Sequence, residues 1–254
     1  MKTFKADEYT TGGWTQNLGA FPKRGMTTVM YGMIEDLEGL TTARGCDSWS
    51  PVETHAPLIS ASSLWSYGGD GCFPRGMPDS DPLIDKMISA TTCKCWSGID
   101  VVNGCGMDSD KIITLFNKMH WKQKSYTFYA GSKFNNPEQH PEGEFANNEV
   151  LKIYMYTDVD RFILKMYDGV MWSLESLHSY VGPGMKRLLN MGVPAKKIFA
   201  TATTKGLTID ALNHIIDEIK RLKVGGLFIW DYENLLPPHL DLINTRLSIN
   251  NGAK

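Results

Sequence analysis

No apolar run in this 254-residue chain reaches the roughly twenty residues of a membrane span. The opening Met1-Lys2-Thr3-Phe4-Lys5-Ala6-Asp7-Glu8 turns acidic and polar too early to hold a signal-peptide core. Charge of one sign is also scarce. The balance of 26 basic and 28 acidic residues leaves a net charge of −2, and no basic run exceeds pairs such as Lys23-Arg24, Lys186-Arg187, Lys196-Lys197 and Lys220-Arg221. Nothing here builds a phosphate-tracking stripe, so neither a nucleic acid nor a membrane is expected as partner. Cysteine is sparse, at five residues (Cys46, Cys72, Cys93, Cys95, Cys105). An odd count does not suit a disulfide framework, and a reducing, cytoplasmic location is the expectation.

Several chemistries lack their residues. The six histidines, His55, His120, His140, His178, His214 and His239, form neither H-x-H nor H-E-x-x-H. Cys93-Lys94-Cys95 has no second pair to complete four metal ligands. No G-x-S-x-G elbow is present, and Gly68-Gly69-Asp70-Gly71 lacks the spacing of a dinucleotide-binding turn. No metal and no cofactor is therefore expected. Lys133 or Lys205 would have to serve any Schiff-base chemistry, against the plainer reading of solvated lysines at strand ends.

What is present is a recurrence. Eight short runs rich in β-branched, aromatic or small residues are separated by polar turns and helical patterns: 27–34, 56–65, a weaker one within 93–102, 125–130, 150–156, 169–174, 198–203 and 226–230. Most read as continuously apolar, as parallel strands covered on both faces do. Helices are expected at Thr208–Leu222, with Thr208 as cap and Ile209, Leu212, Ile215, Ile216, Ile219 and Leu222 on one face, at Asp79–Ala90 and at Ser109–Met119. Shorter helical patterns lie at Arg161–Tyr167 and Met185–Met191. Eight near-equal units in a chain of this length predict a closed (β/α)8 TIM barrel over residues 27–254, preceded by an N-terminal arm at 1–26. An open doubly wound sheet is the competing arrangement, and the missing Gly-rich phosphate turn argues against it.

A barrel of this kind places reacting groups at the C-terminal ends of its strands. The predicted ends offer Glu35 and Asp36, then Trp65, Ser66 and Tyr67, then Asp100 or Asn103. Further round come Asp158, Glu175, Thr203 and the run Trp230-Asp231-Tyr232-Glu233. Carboxylate pairs suit glycoside hydrolysis, one protonating the leaving oxygen and the other stabilising the oxocarbenium ion. Glu175, Asp231 and Glu233 are the catalytic candidates, with Glu35 and Asp158 beside them. Each also reads as a loop salt bridge or helix cap, Asp158 in particular.

Three blocks resemble the family-18 glycoside hydrolases, the chitinases and their inactive relatives. Tyr167-Asp168-Gly169-Val170-Met171-Trp172 is similar to that family's sixth strand, Gly192-Val193-Pro194-Ala195-Lys196-Lys197-Ile198-Phe199 to its entry into the seventh, and Val224-Gly225-Gly226-Leu227-Phe228-Ile229-Trp230 to its eighth. The resemblance implies Trp230 as a floor beneath a bound sugar. It also implies a fourth-strand D-x-x-D-x-D-x-E ending in the general acid, and the predicted fourth strand, Ser125 to Lys133, has no carboxylate. A rival register sets the motif on Asp168 to Glu175, keeping only its first and last acids. The expectation is a chitinase-like barrel that binds carbohydrate, N-acetylglucosamine-containing glycans among the candidates, through Trp230, Tyr232, Trp172 and Trp65, with weak or no hydrolysis. The alternatives are a hydrolase using Glu175 with Asp231 or Glu233, and a non-catalytic storage or assembly protein.

Overall fold

A computed structural model describes residues 9–17, 20–34, 61–69, 84–85, 88, 97–104, 106–120, 122–136, 138–139 and 141–247. Eight parallel strands, β1 (Thr10–Thr15), β2 (Thr28–Ile34), β3 (Ser62–Gly69), β4 (Gly98–Asn103), β5 (Gln123–Tyr129), β6 (Arg161–Lys165), β7 (Ile198–Thr203) and β8 (Gly226–Trp230), pair in chain order and close, β8 against β1. Among the described residues, helices run over α1 (Ser109–Lys118), α2 (Ser132–Asn135), α3 (Pro141–Tyr156), α4 (Leu174–Asn190), α5 (Ile209–Leu222) and α6 (Pro237–Leu247). This is the TIM-barrel architecture that the recurrence predicted.

Alternation along each strand sorts the core into two compartments. Trp14, Met30, Leu64, Ile163, Phe199 and Phe228 fill the barrel interior. Their sequence neighbours, such as Val29, Tyr31, Trp65, Phe162, Leu164 and Ile229, point outward and pack under the helices. The interior is tight enough to dictate glycines. A Cβ on Gly12 would come within 2.6 Å of the Phe228 ring and of the Thr28 carbonyl oxygen, so only hydrogen fits beside so large a plug.

The eight strands are only partly the eight expected runs. Thr10–Thr15 is a full stave of the barrel, so the barrel begins inside the segment expected to be an arm. Its Gly12-Gly13 pair hides the apolar signature of a strand. Residues 150–156 close helix α3 instead of forming a strand: Val150 and Ile153 are buried at helical spacing while Met155 and Tyr156 are exposed. Conversely, Arg161–Lys165 is β6 and not a helix, its Phe162-Ile163-Leu164 fully buried on both faces. Residues 169–174 form no strand; Tyr167 and Met171 share one isolated bridge and α4 starts at Leu174. The helices at Ser109 and Thr208 stand as expected, with the Thr208 hydroxyl accepting from Ala211 N–H. The 185–191 pattern is the second half of α4. Residues 56–60 and most of 79–90 lie outside the described residues.

Candidate functional site at the C-terminal mouth

Asp100, on β4, sits in the middle of the barrel and is completely buried. Trp14 Nε1 donates to its Oδ2 at 2.9 Å, Ser66 Oγ to the same oxygen at 2.8 Å, and Thr127 Oγ1 to Oδ1 at 2.8 Å. Burial pushes its carboxyl up to about 6, against the lowering pull of those three donors and of the Arg161 guanidinium. It is a strut of the interior, below the rim to which the sequence assigned it.

At the C-terminal end the strands offer a different surface. Tyr129, the last residue of β5, continues the inward series Ser125, Thr127 and is 40% exposed. Its hydroxyl donates to Asp168 Oδ2 at 2.9 Å, and Trp172 Nε1 donates to the same oxygen at 3.1 Å. The Trp172 ring meets Tyr129 edge-on at 6.0 Å and Tyr180 of α4 at 5.6 Å. Lys165, paired with Tyr129 across β5 and β6, is buried, its ammonium 5.1 Å from the centre of the Tyr167 ring. Trp230 is the last residue of β8. It is half-buried, set beside Trp14 and Thr203 in register, and packed on the interior cluster that includes Phe228. Aromatic faces beside one carboxylate are surfaces on which flat or ring-shaped ligands can stack and to which hydroxyls can donate.

The residues expected at this mouth fare unequally. Trp230 ends β8 and Trp172 follows β6, both at the C-terminal side of the barrel. Trp65 is buried and faces outward, because Leu64 and Ser66 take the inward positions of β3. Tyr232 is also buried, its hydroxyl donating to the Phe21 carbonyl at 3.0 Å. Asp158 lies at the opposite end: with 150–156 helical, it belongs to the turn that enters β6, where it pairs with the buried Lys124 at the start of β5. Glu35 lies outside the described residues, as does the Cys93-Lys94-Cys95 segment.

The three proposed catalytic acids each have a local task. Glu175 is exposed in the first turn of α4, where a negative charge favours the helix start that Ser173 caps. Asp231 adopts a left-handed conformation at φ 57° and accepts from Asn234 Nδ2 at 2.5 Å, closing the turn after β8. Glu233 accepts from Thr15 Oγ1 and, at 2.9 Å, from Asn17 Nδ2, tying that turn to the end of β1. Asp168 and Tyr129 were not picked out as site residues, although the inward parity of Ser125, Thr127 and Tyr129 is visible once β5 is placed.

With β1 counted, the fourth strand is Gly98–Asn103, and Ser125 to Lys133 is the fifth strand and its exit. The four acid positions of D-x-x-D-x-D-x-E then fall on Ser97, Asp100, Val102 and Gly104. Only the buried strut Asp100 keeps its acid. Of the other three blocks, the second leads into β7 at Ile198 and the third is β8, closing on Trp230, whereas Tyr167 to Trp172 lies beyond the end of β6 and forms no part of it.

No family model and no curated protein matches the chain by sequence. By structure it is similar to a GH18 chitinase from Pseudoalteromonas aurantia, at 14% identity and TM-score 0.64 over 94% of this chain and 100% of that one. It is likewise similar to the chitinase-like agglutinin RobpsCRA from Robinia pseudoacacia, at 11% identity and TM-score 0.64 over 94% and 99% of the two chains. YKL-39, solved in the presence of chitooligosaccharides, aligns at 10% identity and TM-score 0.56 over 94% and 95%. The chain has the barrel fold of the GH18 chitinases and of chitinase-like proteins. Among the described residues no helix is long and apolar enough to cross a membrane.

Proposed function

We propose that this protein is a chitinase-like barrel that binds carbohydrate at the C-terminal ends of its strands with little or no hydrolysis. The observation that carries the reading is the fourth strand, where Val102 and Gly104 occupy the positions of the family's last two acids. Without a positioned acid, the leaving oxygen gains no proton and most of the rate is lost. Binding needs less: a ring to stack on and a few hydrogen bonds. Trp230 supplies the floor, Trp172 and Tyr129 the wall, and Asp168 Oδ1 remains to accept a ligand hydroxyl while Oδ2 is held by its two donors. The likeness to an agglutinin and to a protein solved with chitooligosaccharides favours oligomers of N-acetylglucosamine as ligands.

Calorimetric titration with N-acetylglucosamine tetramer tests this directly. Wild type is expected to bind saturably and Trp230→Ala to lose at least tenfold in affinity, an aromatic contact being worth about 0.5–1.5 kcal/mol beyond its burial. Unchanged affinity in Trp230→Ala would remove the floor from the account. Turnover of a chromogenic chitooligoside that disappears in Glu175→Gln would replace the reading with the hydrolase one. Glu175 and Glu233 argue against that outcome, one pointing into solvent on α4 and the other engaged by Thr15 and Asn17.

A further inference from the structure

The histidines are scattered in sequence, but the packing of the outer helices brings two of them together. His178 lies on α4 and His214 on α5, neighbouring helices that run the same way because each follows a parallel strand. Their rings stand 4.0 Å apart between centroids and are tilted by 53°. The next turn of each helix shows how close the approach is. There Gly182 meets Glu218, and a Cβ on Gly182 would come within 2.0 Å of Glu218 Oε2. Glycine lets the Glu218 side chain lie against the α4 backbone, and the same closeness one turn earlier sets the two imidazoles side by side.

One nitrogen of the pair has nothing to bond. His214 Nε2 is buried and has no hydrogen-bond partner among the described residues. A buried ring nitrogen left in this way costs stability until something occupies it. The carboxylates one turn along α5 are engaged elsewhere, Glu218 by Arg221 and Asp217 by Arg246. His178 is exposed, so its ring can turn toward a shared partner that enters from solvent. Imidazoles that share a metal at about 2.1 Å hold their ring centres roughly 4.5–5.2 Å apart, an opening of about 1 Å from the spacing seen here. Rotation of one exposed side chain supplies it.

We propose that His178 and His214 form a site for a divalent transition metal of the kind imidazole favours, Ni²⁺, Cu²⁺ or Zn²⁺. His214 Nε2 would be one donor and a ring nitrogen of His178 the other. Among the described residues no third imidazole, thiol or carboxylate joins them, so water would fill the remaining positions and the metal would exchange readily. Bound there, it would clip α4 to α5. The site is on the outer helices and does not depend on the carbohydrate reading of the mouth.

Nickel chloride titrated into the full chain, followed by calorimetry, is the test. Saturable binding is expected, with none for magnesium chloride, since Mg²⁺ takes oxygen ligands. His178→Gln and His214→Gln should each weaken Ni²⁺ binding by about tenfold or more, because losing a ligand should cost no less than losing the hydrogen-bond partner of one. Nickel should also raise the thermal midpoint of wild type and not that of either variant, since the paired donors exist only in the folded chain. A Cys93→Ser, Cys95→Ser double variant should bind Ni²⁺ as wild type does. No saturable binding in folded wild type would overturn the proposal, as would unchanged affinity in His178→Gln, an exposed position at which the fold tolerates glutamine. Binding lost in the cysteine variant would also overturn it, by moving the metal to the thiols.

Discussion

Three aspartates stand at three heights of one barrel, and each has a different task. Asp158 precedes β6 at the N-terminal end, 75% exposed, and neutralises Lys124, whose side chain is only 3% exposed. Asp100 is enclosed halfway up, held by an indole and two hydroxyls. Asp168, exposed just past the end of β6, shares one oxygen between Tyr129 and Trp172. Residue type is the same throughout. What differs is depth along parallel strands, which decides whether a carboxylate meets a lone cation, a closed set of donors or open solvent.

Alanine at position 100 is the harshest test of that contrast. Asp100→Ala strands three buried donors and removes the acid facing Arg161, and a loss of about 3–5 kcal/mol is expected in urea unfolding. The amide Asp100→Asn separates geometry from charge. With its oxygen toward Trp14 and Ser66 and its NH₂ toward the Thr127 hydroxyl it can keep all three bonds, so the fold should survive. The pH dependence should then change. The folded carboxyl is raised to about 6 from 3.8, so the folded state holds this proton more tightly than the unfolded chain does. The associated stability is complete below about pH 4 and is lost as pH rises through about 6, roughly 3 kcal/mol across the window. Urea midpoints measured from pH 4 to 7 should fall with pH in wild type and lose that component in Asp100→Asn; an unchanged slope would place the titration elsewhere.

At the mouth, Asp168→Asn should leave the unfolding midpoint nearly unchanged while weakening binding of N-acetylglucosamine tetramer about three- to tenfold, through the loss of a charged acceptor. The smallest effect is expected at the bottom. Asp158→Asn keeps an oxygen near the Lys124 ammonium, so about 1 kcal/mol of stability and no change in ligand affinity are anticipated. A binding defect in Asp158→Asn, or none in Asp168→Asn, would break the link between height and task.

The helices at Ser109 and Thr208 and the seventh and eighth strands follow from local pattern, because their apolar periodicity and caps agree. β6 and the end of α3 did not. Val150-Leu151-Lys152-Ile153-Tyr154-Met155-Tyr156 has strand-like composition, yet two of its positions are buried at helical spacing. Arg161-Phe162-Ile163-Leu164-Lys165 is too short for period to choose between helix and strand. Of the expected site, Trp230 and Trp172 reach the mouth, whereas Trp65 and Tyr232 are directed into packing and Asp158 to the far end.

Composition and spacing alone determined that this chain carries no basic stripe and that a Gly-Gly run ends in Trp230 on a strand, and they pointed to a barrel without assigning all of its staves correctly. Tertiary closure decided the rest. Only pairing β8 with β1 reveals Thr10–Thr15 as a strand, since Gly12-Gly13 has no apolar pattern of its own and is selected by the bulk of Phe228 and Tyr232 across the barrel. That one added strand shifts the ordinal of β4 and turns Asp100 from a rim candidate into an interior strut. Ordinal and depth are properties of the closed barrel, and no window of local sequence encodes them.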